Sequence, residues 1–309
     1  MMGNTKTKKQ VNKLNRAEYV WGWLFIAVPL FGVLAFTVVP VFMSIYVSMV
    51  DWSGLTHLNK AVFVGFQNYA DIFGGIYTKD FLVALANTFI MMLSVPIGMI
   101  LSLLLALALN GKTPGKHVFR VIYYIPSIAN VVAVTILFNK LFSVNGVINQ
   151  LFNKLNMPSV EWLYKPGPAR IMIIILLVWR NLGYTTLLYL SGLQGINSEY
   201  YEAARLDGAN GVQIFWKITL PLLSPMTFYV IVTGVMNALQ LYTEPTIMFP
   251  YSNGKGPQDG TSTIMVLLYY QYTSNKNIGS ASAIAWILAL IIMFVTALQF
   301  FINSRREKD

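Results

Sequence analysis

Asn197-Ser198-Glu199-Tyr200-Tyr201-Glu202-Ala203-Ala204-Arg205-Leu206-Asp207-Gly208-Ala209 is the stretch from which this chain is best read. Asn197 or Ser198 can cap a short helix, and Glu199 favours its positive amino end. Ala203, Ala204, Arg205 and Leu206 are strong helix formers, and Gly208 can take the left-handed conformation that ends the helix. A second stretch, 212–220, leads to Pro221, beyond which an apolar run begins. Another apolar run ends just before Asn197. The segment is therefore predicted to be a capped, largely amphipathic helix lying across a membrane face, a shape suited to docking into a partner's groove.

The surrounding composition supports a membrane setting. Of 309 residues, 56% are hydrophobic and 11% charged, with a mean hydropathy of +0.57. Soluble domains carry about 25% charged residues, so this chain lacks the coat they need. The apolar content excludes disorder, and the absence of cysteine excludes a disulfide-built fold, thiolate metal sites and cysteine nucleophiles. Crossing a bilayer takes roughly 20 apolar residues. Six stretches qualify, at about 21–50, 81–109, 119–142, 169–193, 223–249 and 279–303. The first is too long for a signal peptide and has no small-residue cleavage pattern after it. Pro29, Pro40 and Pro96 lie inside apolar runs and read as kinks. The run 264–270 is too short to span and reads as a re-entrant or lid element.

Lys and Arg set the orientation. With the amino terminus inside, the inner segments hold thirteen of them and the outer segments eight, and Arg180 within a span completes the 22. The bias is strongest at the first helix, so both termini are predicted to be cytoplasmic. The amino-terminal lysines read as an orientation signal, not as a nucleic-acid arm. Aromatic and turn residues in the outer segments, Trp52, Trp162 and Tyr251 among them, suit the membrane interface.

Glu202-Ala203-Ala204, three residues, Gly208, nine residues and then Ile218-Thr219-Leu220-Pro221 resembles the EAA loop of binding-protein-dependent ABC importer permeases. The spacing is complete, and the loop falls between the two expected helices on the predicted cytoplasmic side. The chain looks most like the carbohydrate branch, similar to maltose, multiple-sugar and glycerol-3-phosphate permeases. The resemblance implies an all-α membrane protein with six transmembrane helices and the type I importer (MetI-like) fold. Its parts would be a basic cytoplasmic tail at 1–20, a permease domain at 21–303 with the coupling loop at 194–222, and a cytoplasmic tail at 304–309. Glu202, Ala203, Ala204, Asp207, Gly208 and Ala209 match the motif and would contact an ATPase subunit. Read without a partner, Glu202 is a solvated helix charge and Gly208 a helix stop.

Nothing in the chain reads as an ATP site. Gly111-Lys112-Thr113-Pro114-Gly115-Lys116-His117 is one residue short of a phosphate loop, contains a proline and ends in His, so it reads as a tight inner turn. His57 and His117 are the only histidines, predicted on opposite sides of the membrane, and no nucleophile–base grouping stands out. The chain is expected to be no enzyme and to hold no cofactor, with ATP and magnesium bound by the partner ATPase.

Ionisable residues within a span are functional candidates by default. Arg180 lies in the fourth stretch and Glu244 in the outer half of the fifth, the two helices that line the transport cavity in the permeases this chain resembles. Asn181, Tyr184, Asn237, Gln240 and Tyr242 offer the amides and rings that suit sugar hydroxyls and their weakly apolar faces. Two readings stay open for Arg180. It either pairs with Glu244 to join two helices, or stands free to hold a carboxylate or phosphate, which would favour uronate-containing oligosaccharides or a sugar phosphate. Tyrosines in such a place are more often packing residues than ligands.

The resulting expectation is a bacterial cell-membrane subunit of an ATP-driven sugar importer working by alternating access. Implied partners are a second homologous permease forming a heterodimer, two ATP-binding subunits, an extracellular solute-binding protein, the sugar and membrane lipid, and no nucleic acid. The rival within transport is a polar non-sugar substrate such as glycerol-3-phosphate or its diesters. The rival of another class is a self-contained channel or ion-coupled carrier.

Overall fold

Apolar length sets the number of crossings. In the computed structural model, which describes residues 4–111 and 115–306, four helices are long and apolar enough to span: Glu18–Ser48, Thr78–Asn110, Pro166–Gln194 and Ile278–Arg305. Two bent helix pairs are long and apolar enough when taken together, Val121–Ile128 with Val131–Leu141 at 109°, and Gly211–Leu222 with Ser224–Leu239 at 64°. Counted as one span each, they bring the total to the six crossings expected. Residues 112–114 of the inner turn, and residues 1–3 and 307–309 of the tails, lie outside the described residues. The described part of the amino-terminal tail is helical and runs unbroken from Asn4 past Pro29 to Val33.

Capping and proline explain the interruptions. In the third span Ala129 is extended, and the Asn130 side chain accepts from the amides of Val132 (2.8 Å) and Ala133 (3.4 Å), starting a new helix in a new direction. Proline lacks an N–H and crowds the carbonyl four residues back. Twice the ladder widens into a π-helical turn two residues ahead of a proline, at Leu34–Val38 before Pro40 and at Phe215–Thr219 before Pro221. Pro96 sits in the first turn of Ser94–Asn110, just past a joint at Leu93.

The fifth span needs the main correction. The run 223–249 is not one helix, since it ends at Leu239 and a separate short helix covers Thr243–Met248. Pro245 has no amide for the carbonyl of Leu241, and that carbonyl instead accepts the Thr263 hydroxyl at 2.6 Å. Glu244 therefore lies in the first turn of the short helix, not in the outer half of the fifth span.

Packing ties the spans together in layers. Met91, Phe138, Trp162, Met172, Leu176 and Met248 share one core. Ile72, Phe81, Leu239, Ile264 and Ile284 form a second between the second, fifth and sixth spans. Tyr189, Leu193 and Leu223 close a third at the bend of the fifth span. The helix Ile264–Thr273 is a packed element and not a lid free to lift, because Ile264, Val266, Leu267 and Gln271 are buried. Buried Asn87 and half-buried Arg170 pin the segment before it: Asn87 donates to the carbonyls of Asp259 (2.8 Å) and Ser262 (3.0 Å), and Arg170 donates to the Gly260 carbonyl and to Asn87. The first span, by contrast, buries none of its most apolar window within the chain. A helix that is apolar all round belongs in lipid or against another subunit.

Candidate functional site

A cavity of about 540 Å³ opens between the second, fourth and fifth spans and the segment 240–244. Its position follows from how closely the fourth span meets the first half of the third. A Cβ on Gly183 would collide with the backbone oxygen of Tyr123 and stand 2.7 Å from Ser127 Oγ. Glycine is required there by proximity, not by its own dihedrals. The contact lets Ser127 reach the helix backbone. Its hydroxyl donates to the Arg180 carbonyl at 2.7 Å and accepts from the Tyr184 amide at 3.1 Å, the two groups that an ideal helix would join to each other. Ser127 thus holds the turn that carries Arg180, Asn181 and Tyr184.

All seven residues predicted for the substrate pathway line this one cavity: Arg180, Asn181, Tyr184, Asn237, Gln240, Tyr242 and Glu244. Arg180 Nη1 donates to Glu244 Oε1 at 2.6 Å, with side-chain exposures of 27% and 7%. Of the two readings left open for Arg180, the structure has the paired one. The pair joins the fourth span to the short 243–248 helix, which is held from its far end by Asn139 donating to the Met248 carbonyl at 2.8 Å. The negative charge sits in the first turn of that helix, where backbone amides favour it.

The neutral groups are arranged for hydroxyl chemistry. Asn181 donates to the Leu177 carbonyl at 2.9 Å, which leaves its carbonyl oxygen to accept. Gln240 ends the fifth helix as its carboxy cap, so it shares the cavity with Asn237 without continuing the same helical face. Tyr242 stacks on Tyr269 with ring centroids 4.1 Å apart. Tyr184 and Tyr229 bring their hydroxyls to 3.4 Å across the cavity.

Tyr229 and Thr233 also line the cavity and were missed in the sequence. With Asn237 they form a polar stripe at four-residue spacing on an otherwise apolar helix, a signal that periodicity alone could have supplied.

The motif at 197–209 folds as its residues dictate. A helix spans Ser198–Leu206, with the Asn197 side chain accepting from the Glu199 amide at 3.1 Å. Gly208 takes φ +78°, its amide bonds to the Arg205 carbonyl (3.1 Å), and that of Ala209 bonds to Ala204 (2.9 Å), a Schellman end. Asn210 and Gln213 then form a capping box that starts the next helix at Gly211. Glu202, Ala203, Asp207 and Gly208 are exposed, Ala209 is half-buried, and Ala204 is buried. Tyr200, Leu206, Val212 and Trp216 stand out into solvent on the same loop, Leu206 at 89% exposure. Among the described residues no cluster of His, Asp or Glu is arranged to hold a metal.

Comparison with known proteins bears on both features. The family described as "Binding-protein-dependent transport system inner membrane component" matches residues 94–308. The chain is 33% identical over 308 residues to the probable ABC transporter permease protein YesP of Bacillus subtilis (strain 168), covering 98% of this chain and 97% of that one. It is 33% identical over 291 residues to the multiple sugar-binding transport system permease protein MsmF of Streptococcus mutans, covering 93% and 96%. Its fold is similar, at a TM-score of 0.77 and 21% identity over 96% of this chain and 99% of the other, to a subunit in the crystal structure of a bacterial ABC transporter involved in the import of the acidic polysaccharide alginate.

Proposed function

Since this chain belongs to the binding-protein-dependent transport system inner membrane component family, and is a membrane permease of ABC importers, we propose that it carries an oligosaccharide through the cavity around Arg180 and Asn237. The observation that carries the reading is the cavity's lining. Asn181, Asn237, Gln240 and Thr233 supply amides and a hydroxyl, and Tyr184, Tyr229 and Tyr242 supply rings, all facing about 540 Å³ of space. Sugar rings match such a surface because each presents hydroxyls at its edge and C–H groups on its face. The relation to MsmF, named for multiple-sugar transport, supports the same class.

In this reading the chain moves substrate and a separate subunit hydrolyses ATP, binding the nucleotide and magnesium. The Ser198–Leu206 helix docks in a groove of that subunit, with Glu202 and, at its end, Asp207 exposed to it and Ala203, Gly208 and Ala209 allowing close approach. Closure of the ATPase pair pushes on the loop. The Val212–Trp216 arm passes the movement through the bend at Leu223 into the fifth span and so to Asn237 and Gln240. A second, homologous permease completes the cavity, a solute-binding protein delivers the sugar outside, and both termini lie inside.

Reconstitution tests this. The chain with its partner permease, ATPase subunits and binding protein in proteoliposomes is expected to accumulate an oligosaccharide only when ATP and every partner are present. Uptake of glycerol phosphodiesters in place of sugars would overturn the substrate class. Transport by the chain alone would overturn the importer reading in favour of a self-contained channel or carrier.

A further inference from the structure

Arg180 and Glu244 are the only charged side chains among the described residues that line the cavity, and they neutralise one another at 2.6 Å. The rest of the polar lining is amide, hydroxyl and phenol. We infer, resting on the sugar-importer reading above, that the cavity selects uncharged oligosaccharides, and that Glu244 sets this preference by cancelling Arg180.

The physical argument turns on which partner Arg180 already has. A guanidinium in a membrane cavity would draw a carboxylate or phosphate out of water if its charge were unmatched. Here a uronate would have to displace Glu244, a side chain only 7% exposed and set in a helix held in place by Asn139. Displacement would leave that carboxylate buried without its counter-charge, a costly state. The remaining N–H groups of Arg180 still donate. They serve a sugar hydroxyl as well as an anion, but they bring no net charge to offset an anion's loss of water. An uncharged glycan meets no such penalty. It can accept from Arg180, donate to the Asn181 oxygen and lay a ring face on the tyrosines without disturbing the pair.

The test reads the cavity's own preference in the assembled permease–ATPase complex in lipid nanodiscs, without binding protein, by saturation-transfer NMR. The probes are neutral tetrasaccharides (maltotetraose, galactotetraose, xylotetraose, arabinotetraose) against tetragalacturonate and tetramannuronate. The wild-type complex is expected to bind its best neutral probe at least about tenfold more tightly than either uronate. Glu244→Gln, which frees Arg180, is expected to close or reverse that gap. The double variant Arg180→Gln/Glu244→Gln is expected to restore the neutral preference, and binding of a neutral probe by it shows that the site survives. A wild-type complex that prefers a uronate overturns the inference and leaves the sugar reading intact. So does a Glu244→Gln complex that keeps the wild-type preference while still binding the neutral probe. Failure of every glycan to bind overturns both together.

Discussion

At the scale of single residues, the cavity depends on one close approach. Gly183 lets the third span come near enough for Ser127 to bond to both the Arg180 carbonyl and the Tyr184 amide. Two substitutions separate the spacing from the bonding. Gly183→Ala pushes a methyl group against the backbone at Tyr123 and Tyr124, an overpacking that costs on the order of 1–3 kcal/mol. Ser127→Ala keeps the spacing and leaves the Arg180 carbonyl and the Tyr184 amide able to bond to each other along the helix, so its net cost is about 1 kcal/mol or less. Gly183→Ala is therefore expected to lower the thermal midpoint of the assembled complex more than Ser127→Ala does, and to reduce sugar uptake further. Equal tolerance of the two changes would mean that the spans separate without consequence. None of this was legible in the sequence, because nothing near Gly183 names Ser127, more than fifty residues away, as its neighbour. The Arg180–Glu244 pairing was within reach, since a charge in lipid needs a partner and each is the other's natural choice.

At the scale of elements, the loop around Ser198–Leu206 was the most legible part of the molecule. Its cap, its helix formers and its terminating glycine all act within a few residues, and the structure has them where local chemistry puts them. The fifth span was less legible because apolar content measures length in lipid and ignores the backbone ladder. Pro245 and the carbonyl of Leu241 end that ladder while the hydropathy continues. The third span is similar, for Asn130 restarts it inside a run that is apolar enough to look continuous. Gly208 gives the prediction at this level. A Cβ there would meet nothing within 4 Å, so only its φ of +78° requires glycine. Gly208→Ala should cost about 1–2 kcal/mol in the left-handed region, and Gly208→Asn distinctly less. Binding-protein-stimulated ATPase activity of the reconstituted transporter is expected to fall in the order Gly, Asn, Ala. An Ala variant as active as wild type would remove the helix end from the docking surface.

At the scale of the whole molecule, two properties of the sequence bear on how it sits in the bilayer. On the Lys and Arg bias, the termini and the Ser198–Leu206 helix are expected to lie inside. The bias is modest beyond the first span, so the orientation calls for a direct measurement. The absence of cysteine makes one straightforward, because each introduced thiol is the only one present. Tyr251, fully exposed in the segment after the fifth span, belongs outside on this reading, while Tyr200 on the Ser198–Leu206 helix and Ser304 near the carboxy end belong inside. Tyr251→Cys is expected to react with a membrane-impermeant maleimide in intact spheroplasts. Tyr200→Cys and Ser304→Cys are expected to react only after the membrane is opened. Labelling of Tyr200→Cys in sealed cells, with Tyr251→Cys protected, would invert the molecule. The loop would then face away from ATP, and no ATPase could reach it. Labelling of all three thiols from outside would instead show an even number of crossings between residues 200 and 251. The bend at Leu223 would then mark a re-entrant hairpin in place of a span. The order expected here requires that the 64° bend lie within a true crossing, so that a push on the loop at one face is felt at Asn237 and Gln240 deep in the membrane.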